Sequence, residues 1–490
     1  MDFFDPQKQK RHNRRLSIGY VIIGTVLLLA TTILLHLANG YGLDRQGRVI
    51  QNGLVFVSTR PSGAEIYLNG TRQKSRTNAR LNMPAGKYVL ELKRKGYHDW
   101  KRALHVEGGK LQRFDYPFLF PLELNTEVVR QYESAPVLST QSIDSRWLLI
   151  ASNQENTFEL YDLNAKEPEA RQVAVPAEIL AAGSTTIGWQ TVEWSKDNRR
   201  VILQRSYERD GQSGSEYILF DRERPEESQN LTVLFGFNPT EIELRDQVYD
   251  RYYLYDQNSG QVFTASLREP TPQPYISDVL AFTTEKDIVT FVTAKGADEG
   301  KVLIRIKQGD GPTMTIREVP AGTAYLLDMA EYEGDFYLAV GAASENRVFV
   351  YRDPLGSLRR APNEPLVPVQ ILKVSAPNHV SFSANKRFVI AENGDKFAVY
   401  DIEEDRGYAY QAAAAPDAPR AHAVWMDGFR LAYVSGGKLV VFDYDGTNMH
   451  SLSAASPNYR PIFDHDYRYL YTIDDKHTLT STALLTPEDL

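Results

Sequence analysis

An uninterrupted apolar stretch near the amino terminus constrains this chain more than any other feature. Residues 18–37 read IGYVIIGTVLLLATTILLHL, and no charged residue occurs between Arg15 and Asp44. A hydrocarbon core about 30 Å thick requires about 20 helical residues to cross it. An apolar helix also pairs its own backbone groups, as hydrocarbon demands. We therefore predict a membrane-spanning helix at 16–38, between a tail at 1–15 and a linker at 39–52.

Basic residues flank the stretch mainly on its amino-terminal side. The tail carries five Lys/Arg, whereas residues 39–51 carry only Arg45 and Arg48. Because basic residues stay on the cytoplasmic side, the tail is predicted inside the cell membrane and the rest of the chain outside. A cleaved signal peptide has the same basic-then-apolar order, and Ala38-Asn39-Gly40 offers a cleavage pattern. The apolar run exceeds the roughly 7–15 residues of a signal peptide's hydrophobic segment, which favours a retained anchor.

Charge is distributed unevenly along the chain. Residues 53–113 hold thirteen Lys/Arg and four Asp/Glu, a net charge of +9, whereas residues 114–490 hold 35 and 56, a net charge of −21. Electrostatic fields of opposite sign on the two regions indicate that they have different partners. The 42% hydrophobic content is that of a folded protein. The chain has no cysteine, which excludes disulfide frameworks, thiolate metal sites and cysteine nucleophiles.

The region at 53–120 shows the two-residue alternation of half-buried strands. Examples are Leu54-Val55-Phe56-Val57 and Tyr88-Val89-Leu90-Glu91-Leu92. Turn signals such as Asn69-Gly70 separate the strands. The pattern predicts a small antiparallel β domain.

This region also resembles the PEGA domain family. The segments STRPSGAEIYLNG and LNMPAGKYVLELKRKGYHDW match the family in order and spacing, with Ser62 replacing the acidic residue of the name-giving motif. The matching positions are Pro61, Gly63, Ala64, Tyr67, Asn69, Gly70, Pro84, Gly86, Tyr88, Gly96 and Tyr97. The resemblance implies a small β-sandwich of envelope proteins, with an adhesive or spacer role and no chemistry of its own.

A basic run in this domain is a candidate contact for an anionic surface. Its cations are Lys93, Arg94, Lys95, Lys101 and Arg102. Close to a membrane, each cation contributes about 1 kcal/mol toward an anionic surface. The simpler interpretation is a solvated strand face, and both interpretations stay open.

A strand-and-turn unit recurs through residues 125–490. Each copy reads as a strand, a polar turn, an apolar strand, a Gly/Asn/Asp turn and a strand that ends in an aromatic residue and Asp, as in VSFSANKRFVIAENGDKFAVYDI. A period of about 40–50 residues is typical of a β-propeller. The third-strand markers of the eight copies are Tyr161, Phe220, Ala265, Arg305, Tyr351, Tyr400, Phe442 and Thr480. We predict eight blades, or seven if one weak copy is an insertion, with residues 125–134 closing the ring against the last blade.

The copies resemble the Tol-type, WD-like propeller repeat. The characteristic turn is seen here as Ser195-Lys196-Asp197-Asn198, and the end of the repeat as Asp445-Gly446-Thr447-Asn448. Together, the apolar stretch and the two resemblances predict a mainly β fold: one transmembrane helix, a PEGA-like β-sandwich and a β-propeller. It leaves the function open, because propellers host enzymes, binders and scaffolds alike.

No catalytic, cofactor-binding or metal site is predicted from sequence motifs. The chain has no GxSxG, P-loop, GxGxxG or HExxH motif. The densest titratable cluster, Asp464-His465-Asp466, is a candidate metal or acid–base site, but its place in the repeat favours a polar turn. The stretch at 443–448 lacks the distal Glu of a calcium loop and is predicted to be a tight turn.

Four neighbouring tyrosines form a candidate binding surface. Tyr249, Tyr252, Tyr253 and Tyr255 offer rings to a sugar or a protein, although strand alternation predicts about half of them in the core. The net charge of −21 in this region excludes nucleic acid as a partner.

These features predict a single-pass protein of the cell membrane that displays a non-enzymatic binding or scaffold module outside the cell. One propeller face would bind an envelope protein or a glycan, because loops on a rigid frame carry contacts well. Two alternatives stay open: an extracytoplasmic enzyme with its site at the propeller channel mouth, and a sensor that signals through a partner.

Overall fold

The structure, a computed structural model, describes residues 6–38, 41–43, 49–152, 155–322, 324–362, 364–418 and 421–489. Parts of the predicted tail at 1–15 and linker at 39–52 therefore lie outside the described residues. The chain forms two compact units. The first takes in the described residues up to Glu123, together with Asp489, and the second is Leu124–Glu488.

The apolar stretch forms a single long helix, α1 (Pro6–Ala38). Its first residue is proline, whose missing N–H costs nothing where no intrahelical partner exists. The hydroxyls of Thr25, Thr31 and Thr32 each donate to the carbonyl four residues earlier at 2.8 Å, so these polar groups are satisfied within the helix. Residues Asn13–His36 are long and apolar enough to cross a membrane, and none of this stretch is buried against protein.

Eight strands build the β domain of the first unit. They are β1 (Tyr41–Leu43), β2 (Val49–Val57), β3 (Glu65–Leu68), β4 (Thr71–Arg76), β5 (Ala79–Pro84), β6 (Gly86–Lys93), β7 (Trp100–Val106) and β8 (Leu111–Phe114). One sheet has the order β1-β2-β5 with β8 also on β2, and the other has the order β4-β3-β6-β7. Burial alternates along β7, as expected for a strand with one face on a core. The prediction of an antiparallel domain is wrong at one pair, since β8 runs parallel to β2.

Strands β9–β40 form eight four-stranded antiparallel sheets in the described part of the second unit. The strand β9 is Thr126–Gln131. Sheet 1 contains β10 (Leu138–Gln141), β11 (Trp147–Ala151), β12 (Thr157–Asp162) and β13 (Arg171–Ala174). Sheet 2 contains β14 (Thr185–Trp194), β15 (Arg200–Arg209), β16 (Gln212–Asp221) and β17 (Gln229–Asn230). Sheet 3 contains β18 (Glu241–Leu244), β19 (Arg251–Asp256), β20 (Gln261–Ser266) and β21 (Gln273–Ile276). Sheet 4 contains β22 (Ala281–Glu285), β23 (Ile288–Thr293), β24 (Lys301–Gln308) and β25 (Met314–Pro320).

The remaining four sheets continue the same order. Sheet 5 contains β26 (Tyr325–Tyr332), β27 (Asp335–Ala342), β28 (Arg347–Arg352) and β29 (Gln370–Lys373). Sheet 6 contains β30 (His379–Phe382), β31 (Phe388–Asn393), β32 (Lys396–Asp401) and β33 (Arg406–Gln411). Sheet 7 contains β34 (Val424–Trp425), β35 (Arg430–Ser435), β36 (Lys438–Asp443) and β37 (His450–Ala454). Sheet 8 contains β38 (Ile462–Phe463), β39 (Tyr469–Ile473), β40 (Thr478–Ala483) and β9. Two short helices, α2 (Leu231–Phe235) and α3 (Pro354–Arg360), and 3₁₀ turns at Ala177–Ile179, Pro225–Glu227, Arg245–Gln247 and Ala343–Glu345 lie between strands.

The first and last parts of this unit join in sheet 8. The strand β9 pairs antiparallel with β40, from Thr126 opposite Thr482 to Gln131 opposite Thr478. The side-chain amide of Gln131 also donates to the carbonyl of Lys476 at 2.8 Å. The prediction that residues 125–134 pair with the last copy of the repeat is confirmed.

Apolar clusters fill the spaces between neighbouring sheets. One cluster joins Phe158 of sheet 1 to Trp189 of sheet 2, and another joins Ile304 of sheet 4 to Val340 of sheet 5. Phe388 of sheet 6 stacks on Tyr444, which follows β36 of sheet 7, with ring centroids 4.1 Å apart. Second strands read as continuous apolar runs because both of their faces are buried, as in β23. First strands of successive sheets contact one another, which makes them the inner wall of the unit.

A repeated polar clamp fixes the hairpin of the first and second strands. In sheet 2, Asp197 accepts the backbone N–H groups of Arg199 at 2.9 Å and Arg200 at 3.1 Å. Arg199 also pairs with Asp221, at the end of the third strand, at 2.7 Å. Sheets 1 and 6 have the corresponding pairs Arg146–Asp162 and Arg387–Asp401. In sheet 7 the arginine comes one position later in the repeat, and Arg430 lies 3.8 Å from Asp443. The Asp and Arg of the repeat are therefore structural residues.

Candidate functional site

A cavity of about 1100 Å³ opens among the first strands of sheets 6, 7, 8, 1 and 2. Its volume lies slightly above the range of about 300–1,000 Å³ that is typical of small-molecule sites. The lining residues are Ala135, Pro136, Val137, Leu138, Ser139, Thr140, Gln141, Trp189, Gln190, Thr191, Val192, His379, Ser381, His422, Ala423, Val424, Trp425, Asn458, Tyr459, Arg460, Pro461 and Ile462. Among these described residues there is no carboxylate.

Three consecutive sheets place a basic side chain at the same position of the repeat. The first strands of sheets 6, 7 and 8 end in an aromatic residue, at Phe382, Trp425 and Phe463. The residues three positions earlier are His379, His422 and Arg460. We call these three residues the basic arc. Equivalent positions on neighbouring sheets lie side by side around the inner wall, so the three side chains line one side of the cavity.

The two histidines of the basic arc stack on each other. Their ring centroids are 4.2 Å apart and the rings are inclined by 20°. Burial, with the nearby His422 and Arg460, lowers the pKa of His379 to about 4. Burial and Arg460 also lower the pKa of His422. Both imidazoles are therefore neutral at pH 7, and Arg460 is the charged member of the arc.

Hydrogen bonds fix the aromatic walls of the cavity. The indole N–H of Trp425 donates to the hydroxyl of Ser381 at 3.2 Å, and that of Trp189 donates to the carbonyl of Glu155 at 3.0 Å. The hydroxyl of Tyr459 donates to the carbonyl of Pro136 at 2.9 Å. These polar tips are occupied within the protein, so the rings present their apolar parts to a ligand.

Carboxylates also lie on the first strands of sheets 2, 3 and 5, outside the cavity lining. Glu193 accepts the backbone N–H of Leu244 at 2.8 Å, and Glu243 accepts the hydroxyl of Thr284 at 2.8 Å. Asp328 accepts the backbone N–H of Phe382 at 2.9 Å. Each bond joins one sheet to the next. Because protein surrounds these groups, burial raises the pKa of Glu193 to about 7, of Glu243 to about 8 and of Asp328 to about 6.

The geometry suits the binding of an anion better than proton transfer at neutral pH. A general base works best with a pKa near the operating pH, whereas the pKa of His379 is about 4. Ser381 also lines the cavity, and its hydroxyl accepts the Trp425 N–H. A guanidinium beside neutral N–H donors can instead hold a carboxylate by charge-assisted hydrogen bonds.

Two of the cations predicted from sequence lie in ion pairs on the first unit. Lys93 lies 3.2 Å from Glu91 and 2.8 Å from Asp99, and Lys101 lies 2.8 Å from Glu91. Hydrogen bonds from Lys101 and Lys93 lower the pKa of Glu91. Lys95 is exposed. The two lysines thus share their charge with neighbouring carboxylates, which weakens their pull on an external surface.

The two arginines of that set have internal contacts. Arg102 is only 8% exposed, donates to the hydroxyl of Tyr116 and lies over its ring, 5.5 Å from the centroid. Because it is buried on β7, its side chain is not among the exposed cations that could contact an anionic surface. Arg94 is half-buried and pairs with Asp489 of the same compact unit. The contact of this domain with an anionic surface stays a prediction that rests on Lys93, Lys95 and Lys101.

Two polar stretches considered in the sequence are turns. Asp464 accepts the backbone N–H groups of Arg468 at 2.6 Å and Tyr469 at 2.8 Å, as the turn interpretation predicts. In the stretch at 443–448, the N–H of Gly446 donates to the carbonyl of Asp443 at 2.8 Å.

The tyrosine cluster is more buried than strand alternation predicts. Tyr252 and Tyr253 are 0% exposed and Tyr255 is 5% exposed, because β19 has apolar neighbours on both faces. Tyr249 is half-buried under the guanidinium of Arg200, 3.9 Å from its ring centroid. The cluster is therefore part of the core and not a binding surface.

No local sequence motif marks the three residues of the basic arc. Its members are separated by more than 35 residues and belong to no local motif. Alignment of the repeat copies on the aromatic residue before the turn would have found them, since His379, His422 and Arg460 then fall in one column. Their convergence also requires that copies 6, 7 and 8 be neighbours around one axis.

Comparisons with known proteins identify the first β domain and give distant matches to solved structures. Residues 52–119 match the family model described as PEGA domain. No curated protein matches the chain. Among solved structures, the Dos1 propeller has 12% identity and a TM-score of 0.43, with 74% of this chain and 95% of that chain covered. Kluyveromyces lactis Hsv2 has 6% identity and a TM-score of 0.41, with 65% and 98% covered.

A third solved structure is an uncharacterized protein from Listeria monocytogenes EGD-e. It has 12% identity and a TM-score of 0.37, with 66% of this chain and 91% of that chain covered. The chain thus contains an apolar N-terminal helix, a region that matches the PEGA domain, and a unit of four-stranded antiparallel sheets of the kind that form a β-propeller.

Proposed function

We propose that this protein is a membrane-anchored, extracytoplasmic binding or scaffold protein of the cell envelope. Helix α1 would be the anchor, with the basic tail in the cytoplasm, and the propeller would have eight blades. The eight four-stranded sheets and the pairing of β9 with β40 support the blade number. The apolar helix and the basic residues before it support the topology.

The cavity with the basic arc is the observation that carries the binding role. It is large, its walls are fixed by hydrogen bonds, and it lies where several sheets contribute side chains to one concave surface. Sites of this form bind a ligand by shape together with a few placed polar groups. The ligand in this proposal is an envelope protein or a glycan. Catalysis is no part of the proposal, since the pKa of His379, about 4, is too low for a base at neutral pH.

Photocrosslinking in intact cells tests this proposal. A photoreactive phenylalanine analogue in place of Tyr459, which lines the cavity, should give an adduct of defined mass. The control is the same replacement of Tyr332, a half-buried tyrosine at the far end of the first strand of sheet 5. An adduct specific to position 459 supports binding at the cavity. No adduct, or the same adducts at both positions, would contradict it.

A further inference from the structure

Arg460 is an uncompensated cation at the cavity. It is exposed, and among the described residues no carboxylate pairs with it. The positive charge is therefore available to a group that comes from outside the chain.

The cavity offers one full positive charge and several neutral polar groups. Both histidines are uncharged at neutral pH because burial and Arg460 oppose their protonation. A neutral imidazole still has one N–H to donate. A planar guanidinium binds a carboxylate through two parallel hydrogen bonds, which is its preferred geometry. The site matches a ligand group with a single negative charge.

We propose that the cavity binds one carboxylate group of a partner protein, held by Arg460 and flanked by His379 and His422. This inference rests on the proposed binding function and specifies the chemistry of its ligand. The carboxylate belongs to a chain terminus or to an Asp or Glu side chain. The apolar faces of Trp425 and Tyr459 contact the neighbouring residues of that segment.

The charge of the surrounding region favours a protein over an anionic glycan. A polymer with many carboxylates would be repelled by a region of net charge −21, because such fields act over a Debye length of about 8 Å at physiological salt. A protein segment with one carboxylate and a basic remainder has no net negative charge and meets no such penalty. Arg460 then attracts the carboxylate, while the acidic field around it attracts the basic residues of the same segment.

Peptide pools test the inference on the full-length protein in detergent. Three pools of random hexapeptides are compared: free C terminus without Asp or Glu, amidated C terminus with Asp or Glu, and amidated C terminus without them. A charge-assisted hydrogen bond contributes about 1.5–3 kcal/mol, so a carboxylate should increase retention about 10- to 100-fold. The first two pools also distinguish a chain terminus from a side chain as the source.

Two matched variants connect this retention with the basic arc. Arg460→Gln should abolish the preference for a carboxylate, whereas Arg268→Gln should leave it unchanged, since Arg268 is exposed and does not line the cavity. Equal retention of all three pools, or a preference that survives Arg460→Gln, would overturn the inference. Retention of an oligogalacturonate instead of the peptides would overturn the choice of a protein partner.

The failure of this inference differs from the failure of the proposed function. If the crosslink at position 459 persists unchanged in an Arg460→Gln background, the cavity binds a partner without a carboxylate contact. The inference is then wrong and the proposed function stands. If no crosslink forms in either background, the proposed function is wrong.

Discussion

At the scale of single residues, polar side chains of the repeat mostly hold the fold together. Asp401 is 0% exposed, and it accepts Arg387 as well as the backbone N–H of Glu403 at 3.1 Å. A buried carboxylate without such partners would cost several kcal/mol. The recurrence of Arg and Asp at fixed positions is thus explained by the hairpin. It does not indicate a site.

The carboxylates on the first strands make stability depend on pH. Burial raises the pKa of Glu243 from the model-compound value of 4.5 to about 8. The folded protein therefore holds a proton that the unfolded chain releases at lower pH. This contribution to the free energy of unfolding is fully present below about pH 4.5 and is lost as the pH rises through about 8.

We predict that Glu243→Gln makes stability less dependent on pH between 6.5 and 8. Gln keeps an oxygen that accepts the Thr284 hydroxyl but cannot ionise. One proton contributes a slope of up to about 1.4 kcal/mol per pH unit, and the variant should lose this slope. The window lies above the range in which His379, whose pKa is about 4, gains a proton on unfolding.

The measurement is the denaturant midpoint of the full chain at several pH values. The control is Glu299→Gln, an exposed side chain in a turn, which should keep the wild-type slope. An unchanged slope in Glu243→Gln would show that this carboxylate is already ionised in the folded protein at pH 6.5.

The residues of the cavity show what the sequence could and could not predict. The turn at Asp464 followed from local pattern, because a turn is made by residues a few positions apart. The basic arc did not, because His379, His422 and Arg460 meet only when three sheets are arranged around one axis. Burial of Arg102 was also missed, although the apolar residues at alternate positions of β7 place its side chain on the buried face.

At the scale of elements, the repeat was read correctly although its spacing is irregular. Each predicted marker, including Ala265, Arg305 and Thr480 in weak copies, falls in the third strand of a four-stranded sheet. The longest spacing contains the ten-residue strands β14 and β15, whose hairpin extends beyond the usual length. The apolar pattern of the strands is kept despite such insertions, because apolar side chains must fill the core between the sheets.

We predict that a disulfide can lock β9 to β40. Glu127 and Ser481 face each other across the antiparallel pair, at a Cα separation typical of disulfides. Because the chain has no cysteine, Glu127→Cys with Ser481→Cys supplies the only thiols. Oxidation should give an intramolecular bond and a faster band on a non-reducing gel.

The matched control shifts one cysteine by a single position. Glu127→Cys with Thr482→Cys places the side chains on opposite faces of the strand pair, and the bond should not form. Equal crosslinking in both variants, or none in either, would contradict the register of sheet 8 and with it the closure by β9.

At the scale of the whole molecule, charge and hydropathy divide the chain into regions with different surroundings. An apolar helix, a domain of net charge +9 and a region of net charge −21 follow one another. The length of the apolar run favours a retained anchor over a cleaved signal peptide, which has the same order of basic residues and apolar run. Topology still needs a direct measurement, and the absence of cysteine makes it simple.

Single cysteines and a membrane-impermeant maleimide test anchoring and orientation together. We predict that Glu299→Cys, at an exposed turn of the propeller, is labelled in intact spheroplasts. Gln7→Cys, in the tail, should be labelled only after lysis, because basic residues hold the tail in the cytoplasm. If the tail is removed as a signal peptide, Gln7→Cys stays unlabelled in the mature protein even after lysis, while Glu299→Cys is still labelled. Labelling of Gln7→Cys but not of Glu299→Cys in intact spheroplasts would mean that the chain has the opposite orientation, and the extracytoplasmic binding role would then be wrong.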